Sequence, residues 1–267
     1  MKRIFDVKYY ERYRKSILKP LQKNHRKYIL FPNDNAVTSS LINDWIYEPY
    51  IFHFINDNMI DLEGTEIIEV GANNGNFTIE FADLVGDEGK VFAFEAQRIV
   101  FQQLCGNAFL NGMDNIYAYN LAVGHENGIV GVENVDYYHD GEVNFGDVHI
   151  INESESELTV PIITLDSIDY NNVSIIKIDV QGFEYFVIQG AENTIKKHRP
   201  FIFIEIEEDQ LKKYNFTEKN LIDLIETLDY QVIRFQKGIP YQTVSGICLD
   251  CICIPIEKYK IQNFVVR

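Results

Sequence analysis

From residue 66 onward the sequence repeats one pattern: a short run of consecutive apolar residues, then a longer stretch with apolar residues at helical spacing. The runs fall at 66–70, 91–95, 116–123, 175–180 and 201–206, and the stretches between them include FTIEFADLV, IVFQQLCGNAFLN and FEYFVIQGAENTIKKH. A strand that is apolar without alternation is covered on both faces, as a parallel strand with helices above and below it must be. Repeated strand–helix–strand units in one chain imply right-handed crossovers, so the pattern predicts an α/β fold with a doubly wound, Rossmann-like sheet. Beyond the fifth run a helix is predicted at 218–228, a strand at 231–235, a loop at 238–246 and a last strand at 247–256. That makes seven strands, mostly parallel, with the last antiparallel.

A chain of 267 residues has room for one such domain and a modest extension. The domain is placed at 61–267, with an insertion at 125–161, where Gly, Asn, Asp and Tyr interrupt the alternation near the active-site face. Residues 1–60 are expected to form a basic, helical N-terminal extension, in which 42–58 carries aromatic and aliphatic residues at helical spacing and Pro49 marks a break. With 46% hydrophobic residues the chain has enough apolar material to fold unaided.

The formal net charge of −16 repels phosphate polymers, which makes nucleic acid a poor partner. Residues 1–30 reverse the sign, with ten Lys/Arg against Asp6 and Glu11. They suit an arm that docks on an anionic surface, or a solvated helix. No apolar run approaches the roughly 20 residues of a membrane span, and the basic start lacks the apolar core of a signal peptide, so a cytoplasmic protein is expected. Cys248, Cys251 and Cys253 lie close together in ICLDCICIPI, but this is a strand pattern in which Cys251 and Cys253 share a face as small hydrophobes. No His or second CxxC lies nearby, and no metal ligands are assigned.

The first strand runs into EVGANNGNF at 69–77 and then into a helix. Gly71 and Gly75 allow a tight turn and let a ligand approach the backbone at the helix start. A nicotinamide dinucleotide site would use GxGxxG, whereas the spacing here is GxxxG with Asn73 and Asn74 inside it. The second strand, KVFAFEA, ends in Glu95, where a carboxylate can accept hydrogen bonds from both hydroxyls of an adenosine ribose. In NLAVG at 120–124, Ala122 and Val123 suit the adenine face and Asn120 its edge, although a plain core strand uses the same residues. Glu69, Asn74, Phe77 and Ala96 complete the predicted cofactor set. Lys177 and Asp179 interrupt the apolar strand in IIKIDVQGFE, a costly placement unless each is paired or faces a polar pocket. Asp179 is therefore expected at the reaction centre. Glu184 falls in the first turn of the next helix, where a helix-start acid is an equal explanation.

EVGANNGNFT, GKVFAFEA, NAFLNGMDN with NLAVG, TLDSI, and IIKIDVQGFEYFVIQGAENTIKKHRPFIFIEIEE together resemble the FkbM family in order and spacing, over roughly residues 65–208. The chain departs from the family pattern at Gln181, where Glu is usual, and around Gln97, where EP followed by a small polar residue is typical. The resemblance implies a methyltransferase sheet that moves a methyl group from S-adenosylmethionine to an oxygen, often a sugar hydroxyl or that of a natural product. It carries the cofactor roles to Gly71, Asn73, Gly75, Glu95 and Asp179. The expected partner is a small-molecule or glycan acceptor, chosen by the first 60 residues and the insertion; a homodimer is compatible with the sequence.

Methyl transfer from a sulfonium is an in-line displacement in which alignment does most of the work, and an alcohol must also lose its proton. The candidate bases are Asp179 and Glu184, then Glu205 at the end of the fifth strand, with His139 in the insertion last. Asp179 and Glu205 could give a divalent cation two oxygen ligands, but no third has clear spacing. Three other functions fit the sequence less well. An inactive cofactor-binding or partner protein conflicts with intact Gly71, Gly75, Glu95 and Asp179. An RNA ribose 2′-O-methyltransferase conflicts with the acidic charge. An NAD-dependent oxidoreductase conflicts with the GxxxG turn.

Overall fold

The computed structural model describes residues 17–20, 26–31, 33–42, 49–137, 143–235, 250–261 and 264–266. His139, Cys248, the predicted loop at 238–246 and most of the basic run lie outside the described residues.

The N-terminal part departs from the all-helical expectation. Strands β1 (Ile17–Pro20) and β2 (Lys27–Leu30) pair antiparallel, and the helices Val37–Ile42 and Tyr50–Asp57 follow, the second starting immediately after Pro49. In β2 the residues alternate, with Tyr28 and Leu30 buried against Val37, Leu41 and Ile79. The helix Arg98–Leu110 supplies partners for its backbone. The Ile29 N–H donates to Asn107 Oδ1 (2.6 Å), the Ile29 carbonyl accepts from Gln103 Nε2 (2.7 Å), and Asn111 exchanges a hydrogen bond each way with Lys27 (2.9 and 2.8 Å). Side-chain amides thus close an edge that would otherwise expose unpaired backbone groups.

The main chain order then gives β3 (Glu66–Val70), β4 (Lys90–Phe94) and β5 (Ile116–Tyr119), with β4 parallel to β3 and β5 parallel to β4. The run predicted as one strand at 116–123 is divided. After β5, the Asn120 amide donates to the carbonyls of Glu95 (2.8 Å) and Ala96 (3.0 Å), and β6 (Ala122–Val123) turns away into a second sheet. That sheet is completed by β7 (Gly128–Val132), β8 (Ile150–Ile151) and β9 (Thr159–Ile163), in the order β6-β9-β7-β8, so residues 125–161 form most of it. It packs Val132, Val160 and Ile162 with Ala122 and Phe183.

The chain returns to the main sheet as β10 (Val173–Ile178), β11 (Phe201–Glu205), β12 (Tyr230–Arg234) and β13 (Asp250–Pro255). The order is β12-β13-β11-β10-β3-β4-β5, with β10, β11, β3, β4 and β5 parallel and β13, the last in the sequence, antiparallel between β11 and β12. This is a Rossmann-like, seven-stranded sheet with one antiparallel strand. Successive residues supply opposite cores: Ile68, Val70, Ile176 and Ile204 pack with Val187, Leu221 and Ile225 on one face, and Ile67, Ile175 and Phe203 pack with Phe54, Phe77 and Phe81 on the other. Cys251 and Cys253 are both buried.

Because β4 and β5 lie on one side of β3 and the chain then crosses to β10 on the other, the strand order reverses between β3 and β10. Ligands bind beyond the carboxyl ends of the strands at such a point. Among the described residues no helix is long and apolar enough to cross a membrane.

Candidate active site

A cavity opens at this reversal, bordered by Glu69 and Gly71 at the end of β3, Glu95 and Ala96 after β4, and Asp179 after β10. Asn73, Phe77 and Ala122 also border it; Asn74, Gly75, Asn120, Glu184 and Glu205 do not. Two more distant parts of the chain complete the wall: Ala36 and Val37 from the N-terminal region, and Val132, Asn144, Gly146, Val148 and Ile150 from the second sheet and its loops. They are tied together where Asn35 N–H donates to the Val143 carbonyl (3.1 Å) and Val143 N–H to that of Asn33 (2.9 Å).

The glycine turn is held against its neighbours so closely that side chains are excluded. Gly71 has φ +80°, and a Cβ there would lie 1.9 Å from the Asp179 carbonyl oxygen; the backbone N–H groups of Gly71 and Ala72 both donate to the Phe94 carbonyl at 3.0 Å. Gly75 (φ +87°) makes the tight turn expected of it and does not border the cavity. A Cβ there would lie 2.6 Å from Leu104 Cδ1, so this glycine seats the helix Asn76–Val85 against the helix Arg98–Leu110 rather than touching the cavity. Asn74 is likewise a brace: its Oδ1 accepts from Asn76 N–H (3.1 Å) and its carbonyl accepts from Asn107 Nδ2 (2.8 Å).

Glu95 is buried, and each of its carboxylate oxygens accepts one backbone N–H, Oε1 from Gln97 and Oε2 from Asn73, both at 2.8 Å. The side chain is thereby fixed, and about two of its four lone-pair positions stay open for further donors. Burial pushes this carboxyl up to about 7 against the opposing pull of those two hydrogen bonds. Glu69 is also pushed up to about 7 by burial, although nearby Lys177 and a 2.6 Å hydrogen bond from Thr78 Oγ1 act the other way. Asn120, predicted at the adenine edge, instead holds the Glu95–Ala96 backbone in place through its two hydrogen bonds.

On the other side of β3, buried Lys177 has its Nζ 3.2 Å from Asp179 Oδ2 and 4.7 Å from the centre of the Phe77 ring. The two charges that interrupt the apolar strand are therefore paired with each other. Gln181, with a left-handed φ of +54°, donates from Nε2 to both Asp179 Oδ1 (3.1 Å) and Glu205 Oε2 (3.2 Å). An amide thus stands between the two carboxylates considered as cation ligands. Gln181 is itself oriented by Gln210, whose Nε2 donates to Gln181 Oε1 (3.2 Å).

Glu184, a candidate base from the sequence, does not border the cavity. Its Oε1 accepts from Val180 N–H and Gly182 N–H, both at 3.1 Å, so the carboxyl braces the turn that carries Asp179 and does not reach the cavity. Its Oε2 is buried without a hydrogen-bond partner, and burial pushes the carboxyl up to about 7. A carboxyl raised in the folded state contributes stability in full below its unfolded value, and this is lost as pH rises through the folded one. Glu69 and Glu95 share that direction, so thermal stability should fall between about pH 5 and about pH 8. Glu184→Gln should make that decline shallower in a thermal melt, because it removes one titrating group while keeping the acceptor; a decline as steep as in the unaltered protein contradicts the brace.

Asn76, Gln97 and Gln181 border the cavity but were not assigned from sequence; Lys177, which also borders it, was flagged only as a costly buried charge. Asn76 follows Gly75 directly and Gln97 lies two residues after Glu95, so proximity to the motifs was a usable signal.

A family model described as the methyltransferase FkbM domain matches residues 69–232. Among solved structures, methyltransferase FkbM from Methylobacillus flagellatus is similar over 78% of this chain and 48% of its own, at 17% identity and TM-score 0.50. The chain spans about half the length of that protein. An S-adenosylmethionine-dependent O-methyltransferase from Thermotoga maritima is similar over 89% of this chain and 76% of its own, at 15% identity and TM-score 0.45. Fibrillarin from Aeropyrum pernix, with natively bound S-adenosyl-L-methionine, is similar over 89% and 87%, at 12% identity and TM-score 0.42. No curated protein matches the chain.

Proposed function

The chain belongs to the FkbM methyltransferase family, and we propose that it moves a methyl group from S-adenosylmethionine to a hydroxyl oxygen of a sugar, glycan or other small-molecule acceptor. The observation that carries the cofactor reading is Glu95, an acceptor-only group when ionised, pinned by two backbone donors and still able to accept from two ribose hydroxyls. Gly71 supports it by bordering the cavity where its backbone packs directly on the Asp179 carbonyl, which sets the glycine turn beside Asp179. Ala96, Leu121 and Ala122 offer the apolar wall that an adenine face requires, and Glu69 and Asn73 border the remaining part.

Bound S-adenosylmethionine supplies a methyl group made electrophilic by its sulfonium. The protein's share is alignment and removal of the acceptor's proton. Asp179 is the base of choice: it borders the cavity, and Lys177 on Oδ2 and Gln181 on Oδ1 fix its orientation. Asp179 would accept the acceptor's O–H proton, while bound S-adenosylmethionine would supply the methyl group and leave as S-adenosylhomocysteine. Glu205 accepts a hydrogen bond from Gln181 and does not border the cavity, so its part is to position Gln181. The second sheet and the segment around Ala36, which wall the cavity, are the parts that would choose the acceptor.

The test is incubation with methyl-labelled S-adenosylmethionine and a panel of glycans and hydroxylated small molecules. Label that withstands mild alkali on an acceptor without amines, and is lost when its hydroxyls are blocked, is the ether methyl expected here; label released by alkali is an ester and contradicts transfer to a hydroxyl. With an acceptor in hand, Asp179→Asn should bind the cofactor as before but turn over about a hundredfold more slowly, the usual worth of a positioned base. Full activity would remove Asp179 from that role.

A further inference from the structure

Of the described residues bordering the cavity, Asn76 alone has a buried polar side-chain atom without a hydrogen-bond partner, its amide Nδ2. The residue is 4% exposed, so water is a poor substitute, and a buried amide N–H without an acceptor costs stability. The neighbouring Asn74 uses its own side chain on the Asn76 backbone N–H, which leaves the Asn76 amide as the group with unused donors. An orphaned buried donor beside a ligand cavity points to an acceptor on the ligand.

We propose that Asn76 donates to the carboxylate of the cofactor's amino-acid tail. The inference rests on the S-adenosylmethionine reading of the cavity. That molecule's ribose offers donors to Glu95, and its adenine needs the apolar wall at Ala96, Leu121 and Ala122. Its charged acceptor is the tail carboxylate. Asn76 opens the ten-residue helix Asn76–Val85, whose N-terminal field favours an anion, and Lys177 Nζ stands 4.7 Å from the ring of the adjacent Phe77. The donor and the helix field therefore both favour negative charge beside Asn76.

Calorimetric titration with S-adenosylmethionine and with its decarboxylated analogue isolates this contact, because the two ligands differ only in the carboxylate. Asn76→Ala should bind S-adenosylmethionine roughly ten- to hundredfold more weakly, the size expected for one hydrogen bond to a charged group, and the analogue within about twofold of the unaltered protein. Asn76→Asp should widen the gap further by repulsion. Equal losses for both ligands would mean that Asn76 only maintains the turn, and unchanged affinity for S-adenosylmethionine would remove the contact; either overturns the proposal. Failure of the unaltered protein to bind S-adenosylmethionine would instead remove the reading on which it rests.

Discussion

Glu95→Ala should weaken binding of S-adenosylhomocysteine by roughly a hundredfold or more, because two hydrogen bonds to a charged acceptor disappear together. The chain should stay folded, since Glu95 lies at the end of β4 and the strand's own residues Val91 to Phe94 fill the cores. The titration carries a second signature. Burial holds the Glu95 carboxyl at about 7, and ribose hydroxyls donate best to the ionised form. Affinity in the unaltered protein should therefore fall as pH is lowered through about 7, and the alanine variant should lose that dependence. Unchanged affinity at every pH would take the ribose away from Glu95.

Gly71→Ala is the substitution expected to cost the most stability. At φ +80° the new Cβ would sit 1.9 Å from the Asp179 carbonyl, which belongs to backbone and cannot turn aside. The tips of β3 and β10 must separate, and Asp179 moves with them. A loss of about 3 kcal/mol or more in urea unfolding is expected, together with loss of cofactor binding. Gly112→Ala is the control, because Gly112 also has a positive φ, of +69°, but nothing lies within 4 Å of where its Cβ would go. It should cost only the conformational penalty, about 1 kcal/mol. Similar losses in the two variants would show that the turn at Gly71 is not tightly packed.

The parts of the site that depend on short stretches of chain were legible in advance. An apolar strand, a glycine turn and a helix announce β3 and the loop after it, and Glu95 follows from its place at the end of the next strand. A polar residue in a motif need not border the cavity. Glu184, Asn74 and Asn120 all lie in matched blocks, yet each serves backbone groups that the turns leave open: Val180 and Gly182, Asn76, and the carbonyls of Glu95 and Ala96. Their chemistry is the same in either role, and only the geometry distinguishes them. Lys177 and Asp179 illustrate the converse, since their cost inside an apolar strand correctly announced a pair.

The remainder was hidden because it is nonlocal. β2 is completed by Gln103, Asn107 and Asn111, more than seventy positions later in the chain, so no pattern within 27–30 distinguishes a strand from a helix. Ala36, Val37 and Val148 border the cavity through tertiary packing alone. The Gln181 amide between Asp179 and Glu205 was visible only as a departure from the family's usual glutamate; its role needed the two carboxylates brought within reach.

The cavity at the ends of β3, β4 and β10 is the proposed seat of S-adenosylmethionine. Calorimetric titration of the unaltered protein with S-adenosylmethionine, S-adenosylhomocysteine and NAD tests it most directly. Saturable binding of the first two at one site, with none of NAD, is expected from Glu95 and the GxxxG turn. Absence of binding by both sulfur ligands, or binding of NAD in their place, would contradict it.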